Sequence, residues 1–450
     1  MTCKLPKSPL IAIIGATGTG KSQLAVELAK RHNGEIINGD AMQLYAGLPI
    51  ITNKITVEEQ EGIPHHLLGC IGLSEPTWVV GSFVKRAARV LEEIRARGKL
   101  PILVGGTHYY TQSLLFHDRL AEEDDTRLES SEAEEPTDPF LEQPTEVLLE
   151  ELQKVDPVMA ARWHPKDRRK IQRSLEIYLK TGRKASDVYA EQQTRKLDNH
   201  IDEHDDENTS QAMRYNALLI WIHAETNTLR ARLDTRVEKM LASGLLAEVH
   251  TLHSHAGTET AAARPPDESR GIWVSIGYKE FKPYFSALQA GTSSPEALRK
   301  SKEYGLERTQ IATRQYAKRQ VRWIRIKLLS SLLSSNNLDS LYLLNGTNPS
   351  TFQTDVVDPA ADLVARFLAA ETLPAPASLG SMAREMLQPK REYDLASKPE
   401  LWSKEHCEVC GVTCVVQEQW EQHVRSKGHK KALSKQRQRG MDSSQAVNGA

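Results

Sequence analysis

The chain has 450 residues, 39% apolar and 26% charged, with a net charge of −1. This is the composition of a soluble globular protein of two or three domains. No run of about 18 apolar residues occurs, which excludes a membrane-spanning helix. Of the five cysteines, Cys407, Cys410 and Cys414 crowd together near the C-terminus, the pattern of a metal site rather than a disulfide framework.

The first predicted strand covers residues 10–14 and runs into "IIGATGTGKS". Gly15, Gly20, Lys21 and Ser22 match G-x-x-x-x-G-K-[ST], with a strand before and a helix after. In such a loop, Gly15, Ala16, Thr17, Gly18, Thr19, Gly20, Lys21 and Ser22 enclose a phosphate with backbone N–H groups. Lys21 reaches the outer phosphate and the Ser22 hydroxyl can hold Mg²⁺. The usual occupant is a nucleoside triphosphate, so the motif alone suggests an NTPase or a small-molecule kinase. "EIINGD" reads as a second strand ending at Asp40, close to the first loop in a parallel sheet. A carboxylate there can deprotonate a nucleophile.

Further along, Phe83, Ala87, Val90, Leu91 and Ile94 fall at helical spacing before another strand, "LPILVGGT". A strand at 216–222 precedes a helix carrying Leu229, Leu233, Val237 and Leu241. Strands alternating with helices predict an α/β fold with a parallel sheet. Residues 117–149 and 194–212 are acidic and read as loops around a helical insertion; 251–270 reads as a surface loop and 301–327 as a helix. From 328 to 400 the composition drifts toward Ser, Asn, Pro and Ala, which reads as a linker.

Near the C-terminus, Cys407, Cys410, His423 and His429 have the spacing C-x2-C-x12-H-x5-H. Two thiolates and two imidazoles make a tetrahedral Zn²⁺ site, here a structural one.

"NGDAMQLYAGLPIITNK" resembles the tRNA dimethylallyltransferase (isopentenyltransferase) family. "GIPHHLLG", "LVGGTHYYTQSLL", "DPVMAARWHPKDRRKIQRSLEIYLKTGR", "RLDTRVEKMLASGLLAEV", "SIGYKE" and "TRQYAKRQVRWIR" follow in the family's order, so the resemblance covers about residues 10 to 327. It implies a P-loop NTPase-like parallel sheet core at 8–116 and 214–327, interrupted by a helical insertion domain at 117–213. A linker at 328–400, a small C2H2-type zinc finger at 401–435 and a disordered tail at 436–450 complete the expected organisation.

The resemblance also implies that the phosphate loop holds the diphosphate of dimethylallyl diphosphate. The dimethylallyl group would pass to the exocyclic N6 amine of the adenosine 3′ of a tRNA anticodon (position 37). Asp40 matches the family's base, Thr17 the group that stabilises the leaving oxygen, and Lys21 and Arg236 the diphosphate contacts. Asp40, Ala41, Met42, Gln43 and Thr107 fall where the family contacts the target adenosine. Arg169, Lys170, Ile171, Gln172 and Arg173 lie on an insertion helix expected to meet tRNA, as do Arg314, Lys318, Arg322 and Arg325 on a later one. His65 and His66 are expected to be structural or to lie beside the substrate. Expected cofactors are Mg²⁺ and structural Zn²⁺, and expected partners are tRNA and the prenyl diphosphate, with no membrane. The protein is expected to be a cytoplasmic monomer, with a nuclear or mitochondrial pool. Competing readings are a kinase, a non-catalytic RNA-binding protein, and an enzyme prenylating free adenine nucleotides.

Overall fold

A computed structural model describes residues 9–116, 138–198, 213–261, 267–268, 270–389 and 401–436. The chain divides into two compact units: Met1–Leu120 with Gln211–Glu392, and Ala121–Ser210 with Tyr393–Ala450.

The first unit is built on a six-stranded sheet: β1 (Pro9–Gly15), β2 (Gly34–Asn38), β3 (His65–His66), β4 (Leu100–Val104), β5 (Asn216–His223) and β6 (Leu341–Asn345). The spatial order is β3-β2-β4-β1-β5-β6, and every neighbouring pair is parallel. Parallel pairing needs crossovers, supplied for example by the helices Lys21–Arg31 and Val80–Ala96. Both faces of the sheet are covered, so β1 and β4 are apolar throughout. Within β1, Leu10, Ala12 and Ile14 enter one core with Phe83, Leu91 and Trp221. Ile11 and Ile13 enter the other with Leu24, Leu28 and Val364. The chain leaves β1 for β2 on one side and reaches β5 on the other. The loop after β1 therefore opens at a reversal of strand order, where α/β sheets bind ligands.

Three sequence expectations need correction here. Residues 328–389 are not a linker: β6 pairs with β5 from Leu219↔Leu341 to His223↔Asn345, and the helix Asp358–Leu368 buries Ala360, Leu363 and Val364 on the sheet. The linker composition misled because this sheet edge has only one short strand, set among Ser- and Asn-rich turns. Residues 251–261 belong to the helix Leu245–Ala261 rather than to a surface loop, because Leu245, Val249 and Leu252 pack into the core. In keeping with the structural of the two readings, His65 and His66 form a short strand, with His66 Nε2 2.6 Å from the buried Glu35 carboxylate. Of the acidic segments read as loops, 145–149 and 194–198 belong instead to the helices Thr145–Val155 and Ala185–Asp198, while 117–137, 199–212 and the tail from 437 lie outside the described residues.

The second unit gathers the helices Thr145–Val155, Pro157–Arg162, Arg168–Thr181 and Ala185–Asp198 around Leu148, Leu152, Met159, Ile171, Leu175 and Ile177. Buried Asp156 organises it: its carboxylate accepts from Met159 N at the start of one helix and from Ser186 N on another. The same unit contains a hairpin, β7 (Trp402–Cys407) and β8 (Val412–Val416), followed by the helix Gln417–Arg425. Trp402 packs on the helical core, and the Arg162 guanidinium sits 4.5 Å over both its ring and that of Trp163.

Candidate active site

The phosphate loop is shaped by contacts its glycine positions cannot lose. Gly15 has φ 145°, and a β-carbon there would lie 2.4 Å from the Ile222 carbonyl on β5. No side chain caps the helix Lys21–Arg31 and no acidic residue occupies its first turn. Its leading N–H groups are therefore free for an anion. Lys21 Nζ donates to Ala16 O at 2.8 Å, as does the Thr19 hydroxyl. Ser22 is exposed on the first turn and lines the cleft.

Asp40 lies just beyond β2. Its N–H donates to Asn38 Oδ1 at 3.0 Å, and its own Oδ1 accepts from Met42 N at 3.0 Å. Ala41 N donates to Thr107 Oγ1 at 3.0 Å, which ties the second strand's loop to the Gly-Gly-Thr turn after β4. Gln43 directs its amide NH₂ to Asn53 O at 2.8 Å. A cleft of ≈ 480 Å³ joins these parts, lined among others by Thr17, Lys21, Ser22, Asp40, Gln43 and Arg236. The structure thus brings together loop, carboxylate and arginine that lie far apart in sequence.

The charges of the cleft act on one another. Burial raises the Asp40 carboxyl above its ordinary range, against opposing backbone hydrogen bonds and the Lys21 cation. Burial likewise draws Lys21 down to about 8, with Asp40 opposing and Arg236 reinforcing the shift. Arg236 is also shifted down by desolvation, and its Nε is buried with no hydrogen-bond partner. A desolvated lysine and arginine facing one carboxylate leave a net positive pocket suited to an oligoanion. His108, buried beneath the loop, is held neutral with its pKa drawn to about 3 by burial and by Lys21.

Several participants were not recognised from sequence. Arg232 donates to Gly18 O, Gly346 O and Thr347 O at 3.3, 3.2 and 2.5 Å, fastening the loop to the segment after β6. Asn53, Lys54 and Glu59 line the cleft. Asn53 and Lys54 stand in the quoted "PIITNK", but nothing in their spacing marks them.

On the insertion helix the expectation for Ile171 is corrected. Its side chain is 0% exposed at the centre of the helical core, so it presents nothing to a ligand. Leu179, two turns further along the same helix, is exposed. Arg169 is exposed, Lys170 pairs with Asp167 at 2.9 Å, and Arg173 pairs with Glu176 at 2.9 Å. Of the later basic series, Arg314 is ion-paired to Asp234, while Lys318 and Arg322 are exposed.

The finger residues meet as their spacing requires. The ligand atoms of Cys407, Cys410, His423 and His429 all lie within 4.8 Å of one another. His429 Nδ1 is 3.5 Å from both thiol sulfurs. A tetrahedral zinc with the usual bond lengths separates sulfur from nitrogen by about 3.5 Å. His423 Nε2 is buried without a hydrogen-bond partner, which a metal would relieve. The residues therefore fit Zn²⁺. Cys414 is buried in the hairpin and outside this group.

The family model "IPP transferase" matches residues 43–327. A Schizosaccharomyces pombe protein named tRNA dimethylallyltransferase is 37% identical over 96% of this chain and 96% of its own length. A human protein of the same name is 33% identical over 96% of this chain and 88% of its own. The fold superposes with a TM-score of 0.73 on a crystallographically studied eukaryotic dimethylallyltransferase acting on tRNA, at 31% identity, covering 98% of this chain and 100% of that one. Family model, relatives and fold agree, and the chain belongs to the IPP transferase family.

Proposed function

We propose that the protein transfers the dimethylallyl group of dimethylallyl diphosphate to the N6 amine of adenosine 37 in tRNA, releasing diphosphate. The observation that carries this reading is the placing of Asp40 in one cleft with the phosphate loop, Lys21 and Arg236. A kinase would also use a carboxylate as base; what favours transfer to tRNA is the match along 96% of the chain to a protein named tRNA dimethylallyltransferase.

The N6 lone pair is delocalised into the adenine ring, so the amine needs help as a nucleophile. As its nitrogen bonds to the allylic carbon, the carbon–oxygen bond to diphosphate breaks and an N6 proton passes to the Asp40 carboxylate. The electron pair of the broken bond leaves on the diphosphate oxygen. Thr17 is assigned to that oxygen, and Lys21 and Arg236 to the accumulating negative charge. Gly15 to Ser22 hold the diphosphate through backbone N–H groups, with the Thr17 N–H excepted because Gln320 occupies it.

Ser22 is the residue assigned to Mg²⁺, which when bound would screen the diphosphate charge. Adenosine 37 must leave its stack to reach the cleft, and Ala41, Met42, Gln43 and Thr107 are assigned to its contacts there. Arg169, Lys170, Gln172 and Arg173 are assigned to the tRNA backbone, and the zinc-bound finger to added RNA affinity. The enzyme is read as a monomer working in the cytoplasm, with a nuclear or mitochondrial pool. Among the described residues, no helix is long and apolar enough to cross a membrane.

The test is transfer of radiolabelled dimethylallyl from its diphosphate to total tRNA. Label in N6-isopentenyladenosine supports the reading; ATP hydrolysis with no label in tRNA returns the kinase.

A further inference from the structure

We propose that Gln320 is a positioning residue that sets the distance between the two halves of the reaction centre; the proposal rests on the transfer reaction just given. Gln320 lies on the helix Pro295–Trp323 and is 4% exposed. Its Oε1 accepts from the Thr17 N–H at 2.8 Å, and its Nε2 donates to Gly106 O at 2.9 Å. Gly106 in turn lies against the base: a β-carbon there would be 2.6 Å from Gln320 Nε2 and 2.8 Å from Asp40 Oδ2. One planar amide therefore spans from the leaving-group side, at Thr17, to the nucleophile side, at Gly106 and Asp40.

The chemistry of the link is specific to a primary amide. It needs an acceptor and a donor on the same short group, and each meets a main-chain partner. With the Thr17 N–H engaged, the Thr17 hydroxyl is the part of that residue left to meet the leaving oxygen. The Thr17 peptide is also fixed in orientation. Tyr316, one turn earlier on the same helix, donates to Gly106 O at 3.4 Å and steadies the same carbonyl. Displacing a reacting group by about 1 Å costs on the order of 10²-fold in rate. Gln320 also lines the cleft, and with its amide engaged at both ends it acts on that distance as a clamp.

Two variants of the full chain test the assignment. Gln320→Met keeps the volume and removes both hydrogen bonds. It is expected to lower the single-turnover transfer rate by roughly 10- to 100-fold while the affinity for inorganic diphosphate stays within about threefold. Gln320→Glu discriminates more sharply. An ionised carboxylate loses the donor to Gly106 O and repels both that carbonyl and Asp40. A protonated carboxyl restores donor and acceptor in the original places, and burial favours the protonated form. The ratio of variant to wild-type activity is therefore expected to climb as pH is lowered, although wild-type activity itself falls there.

A Met variant within about twofold of wild type overturns the proposal, as does a loss of rate matched by an equal loss of diphosphate affinity. A Glu ratio that falls as pH is lowered also overturns it. If the wild type transfers nothing from prenyl diphosphate to tRNA, the reaction itself is wrong and this assignment falls with it; transfer in the wild type with indifferent variants removes Gln320 alone.

Discussion

Phe352 lies so close to Gly20 that a β-carbon on the glycine would be 2.6 Å from its ring. Gly20 also has φ 90°, a conformation costly for any other residue. The ring comes from a segment without sequence signature and forms part of the wall of the phosphate loop. Gly20→Ala is expected to weaken binding of inorganic diphosphate at least tenfold and to lower stability by about 1–3 kcal/mol. Phe352→Leu in the same background should recover only part, because the backbone strain remains. Calorimetric titration with diphosphate and thermal melting check both; full recovery would mean that the ring contact alone matters.

Asp40→Asn keeps an oxygen to accept from Met42 N and removes the proton acceptor. The transfer rate should fall by about 10²–10⁴-fold with little change in affinity for diphosphate. Single-turnover transfer with both ligands saturating measures this, and a rate near wild type would move the base elsewhere.

The pH profile should be narrow. Lys21, drawn down to about 8, carries its charge below that pH and loses it above, so kcat/KM for the donor should decline on the alkaline side from about pH 8. Asp40 has its pKa raised by burial, so the active carboxylate is lost on the acid side at a higher pH than for an exposed aspartate. Lys21→Arg stays charged throughout and should lack the alkaline limb. An alkaline limb that persists in this variant would assign it to another group.

Ile171 and Arg169 are near neighbours in sequence with opposite expectations. Ile171→Ala should destabilise the helical unit by about 2–5 kcal/mol, since it empties space in a closed core. Arg169→Ala should leave melting unchanged, weaken tRNA binding modestly and reduce its salt dependence by about one unit of slope. Denaturant unfolding and filter binding at several salt concentrations separate the two.

Chelation of zinc, or Cys407→Ala, should unfold the hairpin and its helix, because a unit of this size has little core of its own. Transfer should persist with a raised KM for tRNA and an unchanged KM for the donor. Circular dichroism with and without metal, together with the two KM values, reads this out. A change in the donor KM would place the finger's influence at the cleft itself.

By itself the sequence determined what depends on neighbours along the chain. The phosphate loop needs only a strand, glycines in register and a helix start, and the zinc ligands need only a hairpin followed by a helix. Their spacings were therefore legible, as were β1, β4 and β5, whose apolar runs reflect burial on both faces, and the short β2 ahead of Asp40. Asp40 stood out from its place at the end of β2 beside the phosphate loop, whereas Thr107 and Arg236 were legible only through the family's motifs.

What the tertiary structure decided is which distant groups share a partner. Gln320 reaches Thr17 across 303 positions, and Arg232 reaches Gly18 across 214. No periodicity encodes such pairs, because they arise only when the strand order brings β1, β4 and β5 side by side and sets the late helices against their ends. The same cause hid β6 and Phe352, since an edge strand among polar turns has too short an apolar run to be seen before its neighbour is known.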